Sequence, residues 1–261
     1  MPATSLPDLG RVVPGAESAF REEEYVQRIA RARQLLVKAG LDVMVITGQE
    51  NIFYLTGQQT PGYYTFQTLV LPVEGDPVFV IRQLEYFNFI SNTFIRDAAI
   101  YTDGDNPVNF LLDVLNARGW MKSRIGIDKR GWFLPIAVYE ALQTEIGTIY
   151  DAAGVIEQLR AVKSVAELEK MAHAARYVDA GMLAGRAAIA AGATANDLVS
   201  AMMGASNAAG SAFIGNEPLA PRGPPPGSPP RPWARRTLLD TDPVSLANRP
   251  TLEPVFPAPV P

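Results

Sequence analysis

The chain has 261 residues, 48% of them hydrophobic, a formal charge of -4 and no cysteine. That length can bury a sizeable core and accommodates two domains. The missing thiols exclude disulfides, thiolate metal sites and cysteine nucleophiles, and the acidic balance offers no basic surface for nucleic acid.

Met1 to Gly15 is rich in Pro, Gly and Asp without a basic-then-apolar leader pattern, and no apolar run reaches bilayer length. The expected location is therefore the cytoplasm, with no membrane partner. Tyr25, Ile29, Ala32 and Leu36 then recur at helical spacing, with Arg28, Arg31 and Arg33 among them, and Gly40 suits the cap that ends the helix. Val43 to Ile46 is a continuous apolar run bounded by Asp42 and Thr47, the pattern of a strand buried on both faces. Two further runs, 67–72 and 77–81, flank Val73 to Asp76, whose Gly75 and Asp76 suit a tight reversal, so a hairpin is expected. Helical patterns cover 83–91, 108–118 and 135–143, and short strands are expected over 124–127 and 148–150. Helices alternating with strands predict an α/β domain with a mixed sheet.

A second unit is expected from about residue 152. Ser164 and Glu167 stand at capping-box spacing, and the Ala-, Met- and Leu-rich stretch that follows runs to Gly192. Thr194 and Asp197 open another helix in the same way. Beyond Glu217 the pattern breaks: fourteen of the 22 prolines lie between Pro218 and Pro261, and every basic residue there is arginine. Proline removes amide donors and fixes φ, so residues 218–261 are expected to be largely disordered. A Pro- and Arg-rich tail without lysine is also what a GC-rich gene yields when read out of frame, which predicts a frameshift near Pro218.

Two blocks carry a family resemblance. Gly40 to Ile46 followed by Asn51 to Gly57 resembles the "GLD" strand and "N-x-x-Y-L-T-G" turn of the creatinase N-terminal domain. Leu159 to Ser164, with Glu167 and Glu169, is similar to the "LR-x-x-KS-x-x-E" segment that opens the pita-bread domain of the creatinase/prolidase family, which includes Xaa-Pro aminopeptidases and dipeptidases. The resemblance implies a mobile start (1–20), a creatinase N-terminal-like, ribonuclease-H-like domain (21–151), the first helices of an incomplete α+β pita-bread domain (152–217), and the tail. It also implies that the loop from Gln58 to Phe66 reaches a partner's active site in a dimer, with Tyr63 and Tyr64 as the substrate-binding side chains; the partner is a second copy or a full-length homologue. The same residues admit plainer readings: Asn51 and Gly57 suit left-handed turns, Tyr54 suits packing on a sheet, and Arg160 with Lys163 suits a solvated linker.

Intact relatives, by the same resemblance, hold two divalent metals (Mn, Co or Zn) with two Asp, one His and two Glu, which polarise a carbonyl and acidify a water. Here the single histidine, His173, falls inside the helix after the capping box, one turn beyond Glu169, where a side-chain hydrogen bond on a helix face accounts for it. No phosphate loop, nucleophile elbow or H-E-x-x-H is present. No catalytic residue, metal ligand or cofactor is therefore expected in this chain, which reads as a catalytically incompetent hydrolase relative. The alternative is a non-catalytic dimerisation or binding module.

Overall fold

The computed structural model describes residues 15–16, 18–190, 192–212, 214–219, 244 and 246–250. The chain forms two compact units, which meet in sequence between Val162 and Lys163.

The first unit opens with helix α1 (Glu22–Lys38), which has three glutamates in its first turn and Lys38 in its last, the arrangement that favours the helix dipole. Strand β1 (Val43–Ile46) follows, then α2 (Gln49–Thr56), β2 (Thr68–Pro72) and β3 (Val78–Arg82). After a 3-10 turn at Gln83–Glu85 come α3 (Tyr86–Asn92), β4 (Ala98–Tyr101), α4 (Pro107–Ala117), β5 (Ile125–Ile127), α5 (Ile136–Ile146), β6 (Tyr150–Asp151) and α6 (Val155–Ala161). The strands form one six-stranded sheet in the order β4-β3-β2-β1-β5-β6. β1 and β3 each run antiparallel to β2, while β4 is parallel to β3 and β5 and β6 continue parallel to β1.

Because helices cover both faces, alternate residues of one strand enter different cores. Met44 and Ile46 join Leu36, Ile52, Leu55, Phe79 and Phe89 on one side. Val43 and Val45 join Leu111, Leu115, Ile125 and Leu142 on the other. That is why β1 is an uninterrupted apolar run, as the sequence implies.

Four features depart from the sequence reading. Asn51 to Thr56 is helical, and only Gly57 takes the left-handed conformation, at φ 81°. Ala98–Tyr101 is a strand that the sequence reading leaves out, because its short apolar run opens on two alanines, weak strand formers. Arg28 is buried to 1% exposure: its guanidinium lies 4.2 Å from the Phe20 ring centroid and 4.4 Å from that of Tyr54, and Nη1 donates to the Tyr54 carbonyl at 2.9 Å. This arginine is taken inward because aromatic faces, a carbonyl and the Glu24 carboxylate, 3.2 Å from Nη2, replace its water shell. Helix α6 also belongs with the first unit, beyond the expected boundary at 151, and packs on α1 and α2.

The second unit contains α7 (Val165–Ala187), α8 (Ala195–Ala208) and a two-stranded antiparallel ribbon of β7 (Ile214–Leu219) and β8 (Ala247–Pro250). Both capping boxes form. Ser164 accepts from the Glu167 amide at 3.2 Å while Glu167 accepts from the Ser164 amide at 2.7 Å, and Thr194 and Asp197 repeat the exchange at 3.2 and 2.8 Å. Gly185 permits α8 to close on α7, because a Cβ there would stand 2.5 Å from Met202 Cγ. β8 falls within the stretch expected to be disordered; residues 220–243, 245 and 251–261 of that stretch lie outside the described residues.

Candidate functional site

The pairing register brings four chain segments to one end of the first unit's sheet. Ile46 at the end of β1 is opposite Leu69 near the start of β2, Thr68 is opposite Val80 of β3, and Val45 is level with Ile127 at the end of β5. From this end leave the loop between α2 and β2, the turn that leads into α3, and the connection from β5 to α5.

The first of these loops carries the two tyrosines. It begins at Gly57, whose amide donates to the Phe53 carbonyl at 2.8 Å, an αL helix ending. Thr56 Oγ1 then accepts the Gln58 amide at 3.1 Å. Thr65 closes the far side, donating its amide at 2.9 Å and its hydroxyl at 2.8 Å to the Gly62 carbonyl. At the tip, Tyr63 is 52% and Tyr64 76% exposed, with ring centroids 6.1 Å apart in an edge-to-face arrangement. Tyr63 also meets Phe133 of the β5–α5 connection edge-to-face at 6.4 Å, and Trp132 beside it is 98% exposed. The result is an outward-facing aromatic group with two phenolic hydroxyls, suited to an apolar ring or chain with polar edges.

One ion pair near this group is already matched. Arg82 forms a two-point pair with Asp103, which raises the guanidinium above its ordinary value and holds the Asp103 carboxyl below the usual carboxylate range. Burial pushes the Tyr101 hydroxyl up, and that hydroxyl donates to the Phe66 carbonyl. A groove of about 560 Å³ beside the Arg82–Asp103 pair is lined by Leu84 and Phe87, with no group poised for acid-base chemistry.

The two sequence blocks that carry the family resemblance meet in this unit. Asn51 of the first donates Nδ2 to Glu157 Oε1 at 2.8 Å and accepts from Arg160 Nη1 at 2.9 Å, while Tyr54 donates its hydroxyl to the Leu159 carbonyl at 3.3 Å. Arg160 is thus a half-buried tie rather than a solvated linker residue, and Asn51 is a bridge rather than a turn residue. Neither role shows in local sequence, because the partners lie more than a hundred residues apart.

In the second unit His173 and Glu169 both lie exposed on α7. Among the described residues no three His, Asp or Glu side chains come together in a way that could hold a metal ion. The described donors therefore do not fit a two-metal centre. No helix among them is long and apolar enough to cross a membrane.

Residues 28–162 match the model of the creatinase/prolidase N-terminal domain. The chain belongs to this family. It is similar to the ectoine hydrolase of Halomonas elongata, 28% identical over 174 residues that make up 62% of this chain and 43% of that enzyme. It is likewise similar to the creatinase of a Bacillus species, 28% identical over 62% of this chain and 39% of that enzyme. Among solved structures, the dipeptidase PepE from Mycobacterium ulcerans superposes with a TM-score of 0.75 at 25% identity, covering 90% of this chain and 62% of that one. A prolidase from Thermococcus sibiricus superposes at 0.76 and 20% identity, covering 87% and 62%, which supports the shared fold alone. The chain spans less than half the length of these two curated enzymes and less than two thirds of these structures.

Proposed function

We propose that this chain is a catalytically incompetent member of the creatinase/prolidase-type hydrolases, retaining the first domain as a pairing module. In this reading it pairs with a second copy or with a full-length homologue in the cytoplasm, and offers Tyr63 and Tyr64 to the substrate site of a competent partner. The observation that carries the reading is the contrast between a well-packed first unit with an exposed aromatic loop and a donor set that, among the described residues, does not fit a metal pair. A single histidine in the whole sequence also falls short of the imidazole and carboxylate set that such hydrolysis uses.

Calorimetric titration with Mn2+ or Co2+, run beside hydrolysis of an Xaa-Pro dipeptide, tests the first half. Neither stoichiometric binding nor turnover is expected; both together would overturn it. The second half is read by mixing the chain with a full-length family dipeptidase. A lowered KM that disappears in the Tyr63→Ala/Tyr64→Ala double variant is expected, whereas unchanged kinetics and no co-sedimentation would refute the pairing.

A further inference from the structure

The loop that carries Tyr63 and Tyr64 sits on a polar stripe formed by Glu85, Asn88 and Asn92. The spacing of three and then four residues places these side chains on one face of the 3-10 turn and α3. At one end Gln59 Nε2 donates to Asn92 Oδ1 at 2.8 Å, and Asn92 Nδ2 donates back to the Asn88 carbonyl at 2.8 Å. At the other end the Thr60 hydroxyl donates to Glu85 Oε2, which also accepts from Asn88 Nδ2 at 3.0 Å. Thr60 Oγ1 in turn accepts the Gly62 amide at 2.8 Å, so the carboxylate, the threonine and the backbone just before Tyr63 form one relay.

Two details give this contact a direction. Glu85 is only 5% exposed, and the hydrogen bonds it accepts come from a hydroxyl and an amide, so a carboxylate has been taken out of water for the loop's sake rather than for an ion pair. Gly62 is shaped to it as well: a Cβ at that position would stand 2.3 Å from Glu85 Oε1. The far end of the loop is tied separately by Tyr101 to the Phe66 carbonyl.

We propose that Glu85 is a positioning residue that latches the 58–66 loop in a preformed, outward-pointing conformation, so that Tyr63 and Tyr64 are presented without a folding step on contact. Ordering a flexible segment at the moment of binding would cost backbone entropy for every residue fixed, and a latch of this kind removes that cost beforehand. The use of the arm in recognition rests on the function proposed above; the latch itself does not.

Hydrogen exchange on the full chain tests the latch directly. In Glu85→Ala the hydrogen-bonded loop amides of Gly62 and Thr65 should exchange at least tenfold faster while those of β1, β2 and β3 keep their wild-type rates. Glu85→Gln, which retains an acceptor, should restore protection. Gly62→Ala, which displaces the carboxylate, should reproduce the alanine effect, and it carries the test should Glu85→Ala fail to fold. Wild-type loop exchange in both Glu85→Ala and Gly62→Ala overturns the latch, as does a rise in strand exchange by the same factor as the loop. In the mixing assay, Glu85→Ala should raise KM and leave kcat unchanged. Loop exchange alone decides the latch, and the KM decides whether the arm touches substrate.

Discussion

The two units solve the burial problem differently. In the first, a central sheet lets one strand feed two cores, so β1 and β2 are buried along their whole length and α1 turns Tyr25, Arg28, Ala32 and Leu36 inward. In the second, the 23-residue α7 has only two buried residues, Gly181 and Gly185, while Val165, Leu168, Met171 and Leu183 are each about half exposed or more. A helix stays ordered with so little burial when its ends are capped and its composition favours helix, and both hold for α7. The first unit is thus held by packing and much of α7 by local signals, while α8 buries Leu198 and Met202. Apolar content alone does not make a core; a second layer must lie against it.

The largest expected break in this contrast comes from Phe79, fully buried and edge-to-face with Phe89 at 5.1 Å. Phe79→Ala should cost about 3–5 kcal/mol in denaturant unfolding, whereas Leu183→Ala, at 64% exposure, should stay within about 0.5 kcal/mol. Similar losses at both sites would show that α7 is covered in solution.

A smaller effect is expected at the cap. Ser164→Ala removes the acceptor for the Glu167 amide and should destabilise the second unit by about 1 kcal/mol, read as lost helicity in circular dichroism with the first unit's near-ultraviolet signal intact. A coupled loss of both signals would contradict the division of labour.

The smallest effect concerns Asp128, at the end of β5. Burial holds its carboxyl above the usual carboxylate range, with Glu157 and Asp151 adding to the shift and the Arg130 amide opposing it. The folded state therefore binds this proton more tightly than the unfolded chain does, and stability is lost as pH rises from the unfolded value, about 3.9, through the raised folded one. Asp128→Asn, which keeps an oxygen for the Arg130 amide, should raise the melting temperature slightly at pH 7 and give no gain below about pH 3.9. An equal difference at both pH values would assign the effect to packing instead.

Much of the fold is legible in short stretches of sequence. The strand at 43–46, the hairpin of β2 and β3 and both capping boxes follow from local chemistry: an apolar run, a Gly-Asp reversal, a hydroxyl three residues ahead of a carboxylate. The family, too, is legible in two short blocks. What escapes is whatever depends on residues distant in sequence. β4 opens on two alanines, weak strand formers, and is recognised by its parallel pairing with β3. Arg28 looks like a surface residue until Phe20 and Tyr54 are placed around it.

The loop shows the same boundary within one site. Tyr63 and Tyr64 come forward from the sequence only through the family resemblance, which implies that the loop from Gln58 to Phe66 reaches a partner's active site. Glu85 does not, since nothing in its own segment marks it as the carboxylate under that loop. Most elements and both capping boxes are set by interactions within a few residues, and the sequence alone carries them. Which polar groups meet is settled by folding, because a hydrogen bond between Thr60 and Glu85, or between Asn51 and Arg160, exists only after the sheet has brought their segments to the same place.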